Sequence, residues 1–164
     1  MNFRSIEITH QGNVRTNNED YYVYTSIDEN NHLFMVADGM GGLQAGEVAS
    51  QMACETVASY FIMQREEPID ISFKSSIEIA NEKVYNYGES KGLKSIGTTA
   101  VVLFFQQYKA YYAHIGDSRL YLFENNQLLQ LTKDHSYIQH LIDKNEITPE
   151  QAKTSTMNCR KVST

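Results

Sequence analysis

The sequence predicts a mixed fold of the α+β class, in which layers of antiparallel strands pack against helices. Three observations support this prediction. Short apolar runs separated by polar segments occur over residues 3–37, two long segments with helical periodicity follow, and strand-like runs joined by polar turns return after residue 95. Strands and helices grouped in this order favour layered antiparallel sheets over alternating βαβ units.

The first half of the chain contains three predicted strands and two predicted helices. The strands cover residues 3–9, 21–26 and 32–37, with the polar turn "IDENN" between the last two. From Gly46 the apolar residues recur with a period near four, which predicts a helix. A second amphipathic helix is indicated by apolar side chains at steps of three and four, which are Phe73, Ile77, Ala80, Val84 and Tyr87.

The second half returns to strands that short polar turns connect. Their apolar runs cover residues 98–105, 110–115, 119–123 and 128–131. Turns such as "ENNQ" between consecutive runs predict an antiparallel meander. After Ser136 the pattern predicts a helix through Leu141 and Ile142, and a second short helix follows "ITPEQ".

Length and composition predict one domain over residues 1–164. The chain is 41% hydrophobic and 21% charged, which is sufficient for one core, and no linker interrupts it. Its net charge of −6 without a basic stripe argues against nucleic acid as a partner. The longest apolar run is too short for a membrane span, and two cysteines suit a reducing cytoplasm, where we expect the protein.

The glycine-rich stretch "VADGMGGLQAGEVAS" lies between a predicted strand and a predicted helix, which is where phosphate-binding loops occur. A dinucleotide fingerprint that starts at Gly39 would require glycine at position 44, which is glutamine. A P-loop would require lysine and then serine or threonine after Gly46, but Glu47 and Val48 follow it. Both nucleotide motifs are therefore excluded.

Acidic residues mark the ends of several predicted strands. Asp38 and Gly39 end one strand, "VRTNNED" places Arg15 shortly before Glu19 and Asp20, and Asp117 follows another strand. An Asp-Gly pair by itself is typical of a simple turn. Several carboxylates together with a backbone carbonyl are instead the oxygen ligands that Mg²⁺ and Mn²⁺ prefer. The set therefore predicts a site for divalent metal ions.

These motifs resemble those of the protein phosphatase 2C family, the metal-dependent Ser/Thr phosphatases, in its compact bacterial form. The similar segments occur in family order and cover essentially the whole chain. They are Arg15 with "NNED", "VADGMGG" with "AGEVAS", "GTTAV", "AHIGDSRLY" and "LTKDHS". The resemblance implies an αββα sandwich of antiparallel sheets flanked by helices, with a two-metal centre at one end.

The resemblance also implies a role for each matching residue. Asp38 would bridge two Mn²⁺ or Mg²⁺ ions, Gly39 would offer its carbonyl to one ion, and Asp20 would hold the water shell of that ion. Arg15 would bind the substrate phosphate through its planar guanidinium. Asp117 matches the acid associated with a third, more loosely held ion. Beside Asp20, Glu19 is a further candidate ligand.

The function implied is hydrolysis of phosphoserine and phosphothreonine in proteins that a Ser/Thr kinase has phosphorylated. Two divalent ions about 3.5–4 Å apart lower the pKa of a shared water and neutralise the charge on the phosphoryl group. No nucleophilic side chain is then required. The cysteines, Cys54 and Cys159, lie in no arginine-rich loop, which argues against a phosphocysteine mechanism.

Two of the similar motifs are also compatible with purely structural roles. "GTTAV" favours strand and turn structure over chemistry. In "LTKDHS", Asp134 and Ser136 are candidates for capping the following helix, and His135 is the alternative candidate for a general acid. We favour the capping roles.

The chain departs from the family pattern after these motifs. Family members continue through a second Asp-Gly and a late Asp-Asn pair that supply metal ligands, and this sequence has neither. We therefore expect a domain that is incomplete at its C-terminus, weak metal binding, little activity, and self-association through an open sheet edge. Two alternatives to an active phosphatase stay open. One is a catalytically silent relative that binds a phosphoprotein through Arg15, and the other is an unrelated α+β module.

Overall fold

The structure is a computed structural model and describes residues 4–41 and 45–154. The chain divides into two compact units, one ending at His114 and the other beginning at Ile115. That all 164 residues form a single domain stays a prediction. In chain order the helices and strands are β1 (Asp20–Ser26), β2 (Asn31–Gly41), α1 (Ala45–Met63), α2 (Ile69–Lys91), β3 (Ile96–Thr98), β4 (Ala100–Gln106), β5 (Lys109–Ile115), β6 (Tyr121–Glu124), β7 (Gln127–Gln130), α3 (Tyr137–Asp143) and α4 (Pro149–Thr154).

The first unit contains a five-stranded antiparallel sheet with β2 at its centre. The strand order is β1-β2-β4-β5, and the short strand β3 also pairs with β2. In the pairing of β1 with β2, Ser26 lies opposite His32 at one end and Asp20 lies opposite Asp38 at the other. Strands β3 and β4 follow β2 in one continuous register, with an interruption at Thr99 where the sequence predicted a single strand.

Helix α1 covers one face of this sheet and builds the core. Residues Leu33, Met35 and Ala37 alternate along β2 on the face that α1 covers, and each is at most 3% exposed. Helix α2 packs against α1, so that Phe61 of α1 contacts Phe73 of α2 and Phe104 of β4. Every second strand residue points to the same face. The strand that the sequence predicted over residues 32–37 is therefore buried on the helix side, while Val36 on the other face is exposed.

The opposite face of the same sheet is much more exposed. Tyr22 and Tyr24 of β1 are each 40% exposed, and Val36 of β2 is 49% exposed. These residues lie opposite one another or diagonally across the β1–β2 pair. The sheet in this unit is therefore well covered on the helix side and poorly covered on the other.

The prediction of a first strand over residues 3–9 is wrong for the part that the structure describes. Residues 4–9 form no strand, and Ile6 and Ile8 are exposed there. The alternating pattern is present, but a strand is stable only when it hydrogen-bonds to a neighbour. No strand of the described residues pairs with this segment.

The predicted meander is only partly correct. Strands β4 and β5 belong to the large sheet, whereas β6 and β7 form a separate two-stranded hairpin. The hairpin turn has positive φ angles of 50° at Asn125 and 60° at Asn126, which matches the predicted "ENNQ" turn. The second unit also contains the short helices α3 and α4, both of which the sequence predicted.

None of the helices in the described part of the chain combines the length and the apolar character that a membrane crossing requires.

Candidate metal centre

Two of the predicted site residues, Asp20 and Asp38, are direct neighbours across the β1–β2 pair. Asp20 begins β1, and Asp38 lies near the end of β2 on the exposed face that also carries Val36. Side chains directly opposite each other in an antiparallel pair lie on the same face, with Cβ atoms about 4.5–5.5 Å apart. The fold therefore brings these two carboxylates together although 17 residues separate them in the sequence.

Gly39 and Gly46 explain much of the glycine-rich stretch. A Cβ on Gly39 would lie 2.0 Å from the carbonyl oxygen of Gly46 and 2.7 Å from that of Glu19. A Cβ on Gly46 would in turn meet a Glu19 carboxylate oxygen at 2.7 Å. These glycines let the end of β2 pack directly against the start of α1, with the backbone of Glu19 on the other side.

Glu19 lies against this glycine contact. Its carbonyl oxygen accepts one hydrogen bond from the Gly39 amide at 3.0 Å and another from the Ser50 hydroxyl at 2.7 Å. The carboxylate packs against Gly46, near the first turn of α1. As the neighbour of Asp20 on an alternating strand, Glu19 points to the helix side of the sheet. Its metal-ligand role stays a prediction, and its backbone role was not predicted.

Thr99 forms two hydrogen bonds with the backbone of Asp38. The Asp38 amide donates to the Thr99 hydroxyl at 2.9 Å, and the Thr99 amide donates to the Asp38 carbonyl at 2.9 Å. The Thr98 hydroxyl donates to the Thr99 carbonyl at 2.9 Å. The "GTTAV" motif therefore contacts the backbone of a predicted metal ligand. The sequence indicated its strand and turn structure but gave no sign of this contact.

Arg15 lies in the exposed loop before β1. Its carbonyl accepts a hydrogen bond from the Gln11 side chain at 2.6 Å, which ties the loop backbone locally. Within the described residues, no salt bridge involves its guanidinium. The side chain is thus accessible to a ligand from solvent, and its phosphate-binding role stays a prediction.

Asp117 belongs to the second unit, in a loop that begins with Gly116 at a φ of +97°. Gly116 exchanges hydrogen bonds with His135, whose amide donates to the Gly116 carbonyl at 2.9 Å. Thr132 accepts the Leu120 amide through its hydroxyl at 3.0 Å. The motifs "GDSRLY" and "LTKDHS" are thereby joined into one local structure around Asp117.

An arginine fork joins the same two motifs. Arg119 donates from Nε to Asp134 Oδ1 at 2.8 Å and from Nη2 to Asp134 Oδ2 at 2.6 Å. This pairing raises the pKa of the Arg119 guanidinium above its usual value. Ser136 caps α3 by accepting the Gln139 amide at 3.2 Å, as predicted. Asp134, the other predicted cap, is instead engaged by Arg119.

The residues that the structure describes contain no group of three or more His, Cys, Asp or Glu side chains arranged to hold a metal ion. The oxygen donors that the fold brings together are the carboxylates of Asp20 and Asp38 beside the Gly39 peptide. Two carboxylates fit one hard divalent cation that keeps several waters, which is the usual binding mode of Mg²⁺.

Comparison with known proteins gives consistent matches. A family model described as protein phosphatase 2C matches residues 9–160. The protein phosphatase PhpP of Streptococcus pneumoniae is 35% identical over 148 residues, covering 88% of this chain and 60% of the relative. This chain thus spans about 60% of the length of the curated relatives it matches.

Solved structures of phosphatases match as well. A serine/threonine phosphatase of S. agalactiae is 28% identical with a TM-score of 0.84, covering 96% of this chain and 68% of that one. The catalytic domain of the phosphatase PstP, crystallised in complex with two manganese ions, is 35% identical with a TM-score of 0.74. That match covers 87% of this chain and 60% of that one. These matches confirm the α+β fold, and they identify the chain as a member of the protein phosphatase 2C family.

Proposed function

We propose that this chain carries the phosphate-binding and part of the metal-binding machinery of a metal-dependent protein Ser/Thr phosphatase. The observation that carries the proposal is the direct opposition of Asp20 and Asp38 at one end of the β1–β2 pair. Membership of the phosphatase family supports the same reading. The substrates would be phosphoserine and phosphothreonine side chains of proteins that a Ser/Thr kinase has modified.

In this proposal Asp38, Asp20 and the carbonyl of Gly39 are oxygen ligands of Mn²⁺ or Mg²⁺. A bound divalent cation supplies a water of lowered pKa and neutralises charge on the transferring phosphoryl group. The neighbouring glycines keep the Asp38–Gly39 peptide against α1, which limits its freedom. The PstP structure with two manganese ions supports Mn²⁺ as the first ion to test. Two ions and a third at Asp117 are part of the proposal.

Arg15 would bind the phosphate of the substrate. Its exposed guanidinium offers parallel N–H donors that match two phosphate oxygens. Lysine at this position would keep the charge but lose the bidentate geometry. Arg15→Lys should therefore weaken phosphopeptide binding, even though the net charge of the protein is unchanged.

Hydrolysis of a phosphothreonine peptide in the presence of Mn²⁺ tests this proposal. Because the chain lacks the late acidic motifs of the family, we expect only slow turnover, which requires Mn²⁺ and is lost in Asp38→Asn. Asp70→Asn, in the first turn of α2, is the control because it removes the same charge away from the strand pair. Turnover by Asp38→Asn at the level of the parent chain would contradict the proposal.

A second candidate function is a catalytically silent module that binds phosphoproteins. It is favoured by the finding that no three metal-ligating side chains cluster within the residues that the structure describes. A phosphopeptide that binds without turnover, and whose binding is lost in Arg15→Ala, would support this second function over the first.

We also propose that the protein self-associates through an open sheet edge, and that it acts in the cytoplasm. Exposed apolar side chains on the β6–β7 hairpin support self-association, since Phe123 is 67% and Leu128 is 64% exposed. The buried free thiol of Cys54 is compatible with a reducing compartment. In sedimentation, Phe123→Lys should dissociate the assembly, and Tyr108→Lys, an exposed aromatic on the β4–β5 turn, should not. A monomeric parent chain would refute self-association.

A further inference from the structure

Thr99 occupies a distinctive position beside Asp38 in the sheet. Asp38 has Asp20 as its partner on β1, and the register of β2 with β3 and β4 places Thr99 on its other side. Thr99 is 1% exposed and lies at the interruption between β3 and β4. It is therefore a buried hydroxyl-bearing residue directly next to a proposed metal ligand.

At the Asp38–Thr99 pair, a side chain replaces one of the backbone hydrogen bonds of the sheet. In a regular antiparallel pair that exchanges hydrogen bonds, each amide donates to the carbonyl of the residue opposite. Here the Thr99 amide does so, but the Asp38 amide donates to the Thr99 hydroxyl at 2.9 Å. The Thr99 carbonyl accepts the hydroxyl of Thr98 at 2.9 Å. Both threonines of "GTTAV" thus take part in a local rearrangement of the sheet.

On the side of β3 and β4, these hydrogen bonds fix the backbone of Asp38. On the side of β1, the backbone is fixed at the next residue, Gly39. There the Gly39 amide donates to the Glu19 carbonyl at 3.0 Å. The Asp38 carboxylate therefore extends from a backbone that is hydrogen-bonded on both flanks. A ligand whose backbone is fixed in this way keeps its orientation before a metal ion arrives, and such supporting contacts commonly change metal affinity by about 10- to 100-fold.

We propose that Thr99 is a positioning residue, whose hydroxyl fixes the backbone of Asp38 and thereby orients the carboxylate for divalent metal binding. This inference rests on the proposed function, because it takes Asp38 as a ligand. In this inference Thr99 acts through the backbone of Asp38. Valine has nearly the same shape as threonine but cannot accept the Asp38 amide, so Thr99→Val removes the contact with little change in packing.

The experiment combines two readouts on three variants. Amide hydrogen exchange at Asp38, followed by NMR in metal-free protein, reports the backbone contact directly. Calorimetric titration with Mn²⁺ reports metal affinity. The variants are Thr99→Val, the conservative Thr99→Ser, and the control Thr56→Val, a threonine on α1 that is 7% exposed.

We expect Thr99→Val to accelerate exchange of the Asp38 amide about 10-fold and to weaken Mn²⁺ binding at least about 10-fold. Thr99→Ser and Thr56→Val should each show the exchange rate and the Mn²⁺ affinity of the parent chain. If Thr99→Val does not fold, Thr98→Val provides the milder test. It removes only the donor to the Thr99 carbonyl, at a half-buried position, and should shift both readouts in the same direction by less.

The possible outcomes separate this inference from the proposed function. Unchanged exchange at Asp38 in Thr99→Val overturns the inference, as does accelerated exchange with unchanged Mn²⁺ affinity. Absence of Mn²⁺ binding by the parent chain refutes the proposed function. The same result overturns the claim that Thr99 orients a metal ligand. The exchange rate of the Asp38 amide then still decides whether Thr99 fixes the backbone. Faster exchange of the Asp38 amide together with weaker Mn²⁺ binding in Thr99→Val, and parent-like values of both in Thr99→Ser, support the inference.

Discussion

Replacing Gly39 with alanine tests the packing that brings the end of β2 to α1. The added Cβ would lie 2.0 Å from the Gly46 carbonyl oxygen, and ordinary contact begins near 3.4 Å. The two backbones must therefore separate by roughly 1.4 Å, the difference between these distances. The three nearest atoms all belong to the backbone of Gly46 or Glu19, so the strand end itself has to move.

The expected loss of stability follows from two contributions. Forcing a methyl group into a filled site costs about 1–3 kcal/mol. The same movement strains the hydrogen bond from the Gly39 amide to the Glu19 carbonyl, which is worth about 1 kcal/mol. We expect the free energy of unfolding to fall by roughly 2–4 kcal/mol in total.

Gly97→Ala is the matched control on the neighbouring strand. Its added Cβ would meet only the Met40 side chain, whose terminal methyl lies at 2.9 Å and is free to rotate away. A strand alanine that fits gains about 0.5–1 kcal/mol over glycine, so this variant should be neutral or slightly stabilised.

Urea denaturation followed by circular dichroism measures both variants. With a slope of about 2 kcal/mol per molar urea, the midpoint of Gly39→Ala should fall by roughly 1–2 M. The midpoint of Gly97→Ala should stay near that of the parent chain. Equal midpoints for the two variants would refute the packing argument.

Three further predictions concern single side chains. Burial raises the pKa of the Cys54 thiol to about 12, so in a Cys159→Ser background Cys54 should resist a thiol reagent at pH 8 until the protein is unfolded, and rapid reaction in the native state would contradict this expectation. The contribution of the protonated Cys54 thiol to the free energy of unfolding should be complete below about pH 9 and should disappear as the pH rises toward 12. Arg119→Lys should cost about 0.5–1 kcal/mol of stability, because lysine cannot form the fork to Asp134 and the pair is partly exposed, and the cost should shrink in 1 M salt. Ser136→Ala should lower stability by about 1 kcal/mol and speed amide exchange in α3, whereas Ser136→Asp should restore the cap; equal exchange in the alanine and aspartate variants would argue against capping.

The sequence predicted those parts of the fold in which local pattern and tertiary context agree. The apolar run over residues 32–37 predicted β2, and the direct pairing of β2 with β1 brings Asp20 beside Asp38. Residues 4–9 show the limit of this reasoning. Their alternation is also typical of a strand, but strand formation depends on a partner that sequence alone does not reveal.

Contacts between distant residues could not be predicted in the same way. The hydrogen bond of Asp38 to Thr99 joins residues 61 positions apart and depends on the register of two strands. The pairing of Asp134 with Arg119 spans 15 positions and displaced the local capping role that its place before α3 suggested. Thr99 and Asp134 each also have a plausible local role, in strand structure and in helix capping, so only the folded chain decides between the local and the distant contact.

The central claim is that Asp20 and Asp38 hold a divalent metal ion at the end of the β1–β2 pair. Calorimetric titration of Mn²⁺ into the parent chain, Asp38→Asn and Asp70→Asn tests it most directly. We expect Mn²⁺ to bind the parent chain and Asp70→Asn, and to bind Asp38→Asn at least about 10-fold more weakly. Equal Mn²⁺ affinity in all three proteins, or no binding by the parent chain, would contradict it.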